Sequence, residues 1–461
     1  MHKLKYFFQS FLYFIYPLFL ITYLTSCAQN YTVLNQVRVV HPEWSRNAII
    51  YEVNIRQYTP EGTFEAFEAH LPRLKEMRID ILWLMPINPI GELNRKGTLG
   101  SYYSIKSYKE VNPEFGTLED FKNLINKIHE MDMYVIIDWV ANHTSWDNVW
   151  TQTHPEFFSQ NSSGEFYPPV ADWSDVIDLN YDNKILWDFM IDAMKYWIEE
   201  CNIDGFRCDV ATMVPTEFWN RARKELDEIK PVFMLAEASE NYLHEEAFDM
   251  TYNWRLKDLM NEIAKGNKDA SDIIAYYNFE KTEYNPDDYI MTFTSNHDEN
   301  TWHGTVFERL GDSAEMFAIL ISTVKGIPLV YSGQEAGLDK RLEFFEKDEI
   351  EWKEHKLYDI YKTIFTLKHN NKALWNGATG GEMNFITSNN EEGILAFSRE
   401  MDDDKIIAVF NLTNNNQTVT LNGPALNGNY KELFCNNEFV FTLGQTELSM
   451  QLWGYMIFVK E

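Results

Sequence analysis

Arg207 and Asp209 stand two residues apart at the end of the run Gly205-Phe206-Arg207-Cys208-Asp209, and a spacing of two puts both side chains on one side of an extended strand. A guanidinium in that place can hold the carboxylate ionised, which is what a nucleophile requires. Glu237 follows the apolar run Val232 to Ala236. An acid at the end of such a run should be partly desolvated, keep its proton to higher pH and so serve as a general acid. Asn296-His297-Asp298 and Asp138-Trp139-Val140-Ala141-Asn142-His143 close two further apolar runs. Taken singly, each has a plain structural explanation, because an aspartate after a strand is commonly a cap or turn residue and a glutamate a solvated loop charge. Together, three carboxylates (Asp209, Glu237 and Asp298) converging on one mouth would repel one another, which is costly unless the arrangement serves a reaction.

Convergence needs a fold that brings the ends of several strands to one place. Short apolar strands alternate with amphipathic helices through the central region, the pattern of a parallel sheet wrapped by helices. Eight strands can be counted: Ala48 to Val53, Ile81 to Pro86, Met133 to Val140, Gly205 to Val210, Val232 to Ala238, Phe248 to Asn253, Tyr289 to Asp298 and Gly326 to Gly333. Phe64, Phe67, Leu71, Leu74 and Met77 predict one buried helical stripe. Thr117 with Asp120 predicts a capped start for a second, carrying Leu118, Phe121, Leu124, Ile125, Ile128 and Met131. The fold class predicted is α/β, a (β/α)8 TIM barrel with its chemistry at the carboxyl ends of the strands. A short irregular insertion, residues 143–180, follows the third strand, and an antiparallel β-sandwich forms the tail. The expected division is a signal peptide over 1–26, a linker over 27–45, the barrel over 46–370 and the sandwich over 371–461.

Composition narrows the partners. A net charge of −30 and a pI near 4.7 would repel phosphate backbones and anionic lipid, so a nucleic-acid partner is excluded. The 15% aromatic content suits a sugar cleft and a large core alike. Cys201, Cys208 and Cys435 have no CxxC spacing, which argues against a disulfide framework or a zinc site. At the amino end, Lys3 and Lys5 precede the apolar run Phe11 to Leu24, a targeting signal rather than a membrane-spanning domain. The run ends in Leu24-Thr25-Ser26-Cys27, which resembles the lipobox of bacterial lipoproteins. That resemblance implies cleavage before Cys27, lipidation of its thiol and a periplasmic or cell-surface protein held to a membrane by the lipid anchor only. The competing reading is ordinary signal cleavage at another bond.

The strand-end segments resemble the sequence signatures of the α-amylase family, glycoside hydrolase family 13. The likeness runs from about Arg46 to the C-terminus and includes Leu82-Trp83-Leu84-Met85-Pro86, Asn112-Pro113-Glu114-Phe115-Gly116-Thr117 and Gly326-Ile327-Pro328-Leu329-Val330-Tyr331-Ser332-Gly333-Gln334-Glu335. It implies that Asp209 is the nucleophile, Glu237 the acid/base and Asp298 the carboxylate that grips sugar hydroxyls. Tyr103, His143, Arg207 and His297 would line the subsite of the distorted ring. Carboxyl groups about 5 to 5.5 Å apart permit a double displacement with retention of configuration. The implied substrate is an α-glucan or maltooligosaccharide cut mainly at α-1,4 bonds.

Departures from the family pattern keep other readings open. Thr212 and Met213 occupy places where many α-amylases carry a Lys-His pair, Val210 is similar to the residue of enzymes that cleave α-1,6 links, and Ser107 replaces a frequent aspartate. A transglycosylase, an α-1,6-acting glucosidase or debranching enzyme, and a lipid-anchored glycan-binding protein without activity are therefore the alternatives. A binder would be free to lose at least one of the three carboxylates. In calcium-binding members Asn142 and a residue matching Asp178 supply hard oxygen ligands, so Ca2+ at Asn142 and Asp178 is the cofactor to look for. Trp146, Trp150, Trp173 and Trp302 are candidate sugar platforms or packing residues.

Overall fold

Eight short runs, most of them rich in Ile, Val, Leu and Met, form strands β1 (Ile50–Val53), β2 (Ile81–Leu84), β3 (Tyr134–Trp139), β4 (Gly205–Cys208), β5 (Phe233–Ala236), β6 (Met250–Tyr252), β7 (Tyr289–Phe293) and β8 (Ile327–Tyr331). The structure is a computed structural model that describes residues 38–423, 426–441 and 445–461. The segment expected to be a targeting signal, and Cys27, lie outside the described residues. The strands close into a parallel barrel in the order β1-β8-β7-β6-β5-β4-β3-β2.

The period of two along each strand decides what the barrel encloses. Ile50, Ile81, Ile136, Phe233, Met250 and Leu329 pack together inside it. Two residues further along, Glu52, Trp83, Asp138 and Tyr252 therefore also point inward, one layer nearer the carboxyl ends. Register completes the layer: Glu52 lies beside Trp83, Trp83 beside Ile136, and Asp138 beside Arg207. Gly205 is required for this pairing, because a Cβ there would stand 1.9 Å from the Phe233 carbonyl oxygen. The opposite faces of the same strands, Val135, Ile137, Phe206 and Met234 among them, pack on the helix ring.

The helical stripe Phe64 to Met77 is buried throughout, yet it is carried by two helices, Phe64–Glu68 and Leu71–Glu76. Pro72 sits in the first turn of the second; lacking an N–H, it suits a helix start and not a helix interior. Leu118–Glu130 starts on the expected capping box of Thr117 and Asp120. The irregular stretch after β3 contains a small antiparallel hairpin, His143–Ser145 with Val176–Asp178. In the tail, the last two strands are Gln445–Met450 and Tyr455–Lys460, separated by a turn. The tail strands form a six-stranded and a three-stranded antiparallel sheet among the described residues, with Ile394, Ile407, Val419, Leu448 and Phe458 in the core between them. Arg399, fully buried, ties tail to barrel by donating to the carbonyls of Thr323, Val324, Trp375 and Gly381. No helix among the described residues is long and apolar enough to cross a membrane.

One buried acid in this scaffold gives stability a pH dependence. Glu280, on helix Ala270–Glu283, is 5% exposed. Burial pushes its carboxyl up to about 7 against the opposing effects of the Tyr276 hydroxyl and Lys325. The native state then holds a proton that the unfolded chain releases near 4.5, so stability falls as pH rises from about 4.5 to 7 and levels off above that. Glu280→Gln keeps the shape without the ionisation. It should remove that fall and raise stability at pH 8 by at most roughly 3 kcal/mol relative to the native chain, with little difference at pH 4.5. Urea unfolding midpoints at both pH values check this, and parallel pH curves for the two proteins would contradict it.

Candidate active site

Arg207 organises the mouth of the barrel. It is fully buried, and each of its nitrogens is engaged. Its Nη1 donates to Asp138 Oδ1 at 2.9 Å, Asp138 Oδ2 at 3.1 Å and Asp209 Oδ1 at 3.0 Å. Its Nε donates to the Tyr252 hydroxyl at 3.1 Å. Its Nη2 lies 2.9 Å from Glu237 Oε1, an ion pair whose angle is too bent for a directed hydrogen bond. Asp209 and Glu237 thus reach the two ends of one guanidinium and face a common space, Asp209 just beyond β4 and Glu237 just beyond β5.

The chain turns sharply to make this possible. Val210 adopts φ 36° and ψ 51°, a left-handed conformation that costs a β-branched residue about 1–3 kcal/mol. The turn aims the Val210 N–H at Glu237 Oε2, 2.8 Å away. Strain next to one carboxylate thereby fixes the other.

Asp138, fully buried, joins this cluster to a second. Its Oδ2 accepts from Trp83 Nε1 at 3.1 Å and from the Tyr103 hydroxyl at 2.9 Å. The same hydroxyl is 2.9 Å from His297 Nε2, and His297 Nδ1 is 2.5 Å from Glu52 Oε1. Since the Tyr103 proton is given to Asp138, the hydroxyl accepts from His297, so both ring nitrogens of His297 donate and the ring is an imidazolium. Burial works against that charge, but Asp298 and Glu52 outweigh it and bring the imidazole up to about 9. Asp298 Oδ2 lies 3.4 Å from His297 Nε2, and Asp298 Oδ1 accepts from Trp302 Nε1 at 3.0 Å. His143 is the opposite case: burial lowers it to about 3. The Asn142 amide donates to its Nδ1 at 3.2 Å, which leaves the proton on Nε2, 4.0 Å from Asp209 Oδ2.

Asp209, Glu237, Arg207, Tyr103, His297, Asp298 and His143 therefore surround one mouth. Glu52, Asp138, Trp83 and Tyr252 complete it; from sequence, Asp138 and Trp83 figured only within longer segments and neither had a role, and Glu52 and Tyr252 were not singled out. The available signal was a charge at inward-facing parity within an apolar strand, two residues after Ile50 for Glu52 and two after Ile136 for Asp138. Arg207 does favour the Asp209 anion, as its spacing suggested, but it is outweighed. Burial first, and the Glu237 charge second, push the Asp209 carboxyl well above the usual carboxylate range, with Arg207 opposing them. Both effects disfavour the Asp209 anion, and Arg207 is the group that favours it.

The calcium expectation meets a different arrangement. Asp178 pairs with His143 across the hairpin, and its carboxylate accepts from Ser159 Oγ at 2.5 Å. The Asn142 side-chain N–H donates to His143 Nδ1, a bond that does not use the amide oxygen. No group of three or more His, Cys, Asp or Glu side chains is placed to hold a metal ion among the described residues. Asn142 and Asp178 are thus two neighbouring oxygen-bearing side chains at the hairpin, of the six to eight oxygens that calcium takes. Of the candidate platforms, Trp150 packs among Tyr108, Phe157 and Phe189, whereas Trp302 is half-exposed at the mouth.

A parallel eight-stranded barrel with a cluster of carboxylates and one guanidinium at the carboxyl ends of β3, β4 and β5 defines a class of glycosidase. The model of the α-amylase catalytic domain matches residues 41–175 and 156–372, and that of the maltogenic amylase C-terminal domain matches residues 383–457. The chain belongs to the α-amylase family and is a glycoside hydrolase, an enzyme that cleaves or transfers glucan linkages. It is similar to α-amylase 3 of Dictyoglomus thermophilum, 26% identical over 91% of this chain and 93% of that one. Among solved structures it is similar to a noncanonic maltogenic α-amylase of Thermotoga neapolitana, with 32% identity, TM-score 0.83 and coverage of 90% of this chain and 98% of that one. It is also similar to an α-amylase of Lactobacillus plantarum, with 30% identity, TM-score 0.81 and coverage of 91% and 100%.

Proposed function

We propose that the protein is a retaining hydrolase of α-glucans or maltooligosaccharides, cutting mainly α-1,4 bonds by double displacement. Asp209 is the nucleophile, Glu237 the acid/base and Asp298 a carboxylate that grips sugar hydroxyls. The observation that carries the reading is the single Arg207 guanidinium in contact with both Asp209 and Glu237. Asp209 Oδ1 is occupied by that guanidinium, which leaves Oδ2 to attack the anomeric carbon as the glycosidic C–O bond breaks and Glu237 gives its proton to the departing oxygen. A proton on Glu237 removes one of the two effects that raise the Asp209 carboxyl, leaving Arg207 opposed by burial and the weaker neighbouring charges. In the second half, Glu237 takes a proton from water, the water oxygen bonds to the anomeric carbon and Asp209 leaves. His143 Nε2, His297 and Tyr103 bind the ring being cut.

A product time course on maltoheptaose, pullulan and isomaltose, with the new anomer followed by proton NMR, tests this. The expected result is short maltooligosaccharides from maltoheptaose released as the α-anomer, with isomaltose cut far more slowly. Release of the β-anomer, or a preference for isomaltose, would contradict it. Transfer products in place of hydrolysis would support the transglycosylase alternative.

We also propose that the protein is exported and anchored through a lipid on Cys27, at the periplasmic or cell surface. What supports this is the charged and then apolar leader ending in Leu24-Thr25-Ser26-Cys27. Incorporation of labelled palmitate into the native chain and not into Cys27→Ser is the expected result, and equal labelling of both would rule it out.

A further inference from the structure

Three loops meet on the rim of the barrel across from the two central carboxylates. In the barrel order, β8 lies diametrically opposite β4, the strand that ends in Asp209. The loop after β8 carries Phe344 and Phe345, and the turn after β7, Glu299–His303, carries Trp302. Gly97, in the loop after β2, closes the third side. Its φ of +62° needs a glycine, and a Cβ there would stand 2.5 Å from the Phe345 Cβ. Between them is a cleft of about 380 Å³, lined by these residues with Arg341, Glu343 and others.

The aromatic rings form a continuous run from the floor of the site outward. Tyr103 stacks on His297 at 5.5 Å and 21°, and Phe344 lies parallel to Tyr103 at 6.1 Å and 11°. Trp302 follows at 5.4 Å from Phe344 and 6.0 Å from Phe345. Trp302 is 50% exposed, although its N–H is fixed by Asp298. A large ring locked by its edge and left open to water is a preformed apolar surface. Glu343 beside it can accept from hydroxyls, and Arg341, held by Glu308 through Nε and Nη2, keeps Nη1 to donate, so the chemistry fits a hydroxyl-rich ring with one apolar face, a glucosyl unit.

Direction follows from the chemistry of departure. The proton donor must stand beside the sugar that leaves, so the leaving portion lies near β4 and β5. The retained portion then extends toward the opposite rim. We propose that Trp302 and Phe344 form the stacking surface for the glucosyl unit next to the one being cut, on its non-reducing side, and so set the minimum chain the enzyme uses efficiently. This inference rests on the retaining-glycosidase reading above.

The test compares p-nitrophenol release from the α-glucoside, which fills one site, and from the α-maltoside, which adds the second. In Trp302→Ala and Phe344→Ala the ratio of kcat/KM for maltoside over glucoside should fall about tenfold, the weight of a good aromatic contact. Trp302→Phe keeps a stacking ring while losing the bond to Asp298, so its ratio should stay near that of the native enzyme even if both rates drop. An unchanged ratio in the alanine variants overturns the stacking assignment alone. Equal losses on both substrates in every variant also overturn it, since Trp302 would then act only by supporting Asp298. A native enzyme that turns over neither glycoside nor maltoheptaose would overturn the glycosidase reading itself.

Discussion

Asp209→Asn is expected to lower kcat on maltoheptaose by about four orders of magnitude or more, the scale of loss when a covalent nucleophile is removed, while maltotriose still binds. The amide is isosteric, and its oxygen can still accept from Arg207 Nη1, which the carboxylate does at 3.0 Å. The guanidinium would therefore stay in place, held by Asp138 and the Tyr252 hydroxyl. What disappears is the anion that bonds to the anomeric carbon. The substitution also removes a buried carboxyl that burial and Glu237 disfavour as an anion, so the melting temperature should hold or rise. Steady-state kinetics, calorimetric binding of maltotriose and thermal unfolding check the three parts together. Retained turnover, or lost turnover accompanied by a large fall in melting temperature, would contradict the assignment.

Glu237→Gln should cost about 10²- to 10⁴-fold on maltooligosaccharides, the range for loss of a positioned proton donor. A carboxylate can accept on both oxygens, and here Oε2 takes the Val210 N–H at 2.8 Å while Oε1 faces Arg207 at 2.9 Å. An amide has one oxygen, so one of those donors would meet an NH2 group and the turn at Val210 would lose part of its support. The more specific consequence concerns leaving groups. Fluoride departs without a proton, so the first half-reaction with α-maltosyl fluoride should largely survive in Glu237→Gln. The second half, which needs the glutamate as base toward water, should not. A burst of fluoride release followed by a slow steady state is the expected trace. Equal losses on the fluoride and on maltoheptaose would remove Glu237 from the proton-donor role.

The barrel was legible because its strands are short and alternate with amphipathic helices, and because most of them are runs of Ile, Val, Leu and Met. The inward direction of Arg207 followed from the period of two, and the structure adds the partner in register, Asp138. Glu52 was overlooked for a physical reason: within Ile50-Tyr51-Glu52-Val53 a lone acid reads as a flaw in an apolar strand until His297, far along the chain, is seen against it. The stripe from Phe64 to Met77 was legible as a buried face but not as two helices, since burial follows side-chain spacing while continuity is decided by Pro72. Ionisation was the least legible property. Spacing showed that Arg207 could reach Asp209, whereas the desolvation that outweighs it depends on how completely loops from several strands close over the pair. The rim formed by Gly97, Trp302, Phe344 and Phe345 belongs to the same category, because loops that meet only in the folded chain leave no periodic trace in sequence.

Trapping the covalent intermediate tests the central claim most directly. Glu237→Gln incubated with α-maltosyl fluoride, quenched in acid and digested for mass spectrometry, should carry one maltosyl unit on the peptide containing Asp209. An adduct on any other residue, or steady turnover of the fluoride with no adduct at all, would contradict a double displacement through Asp209.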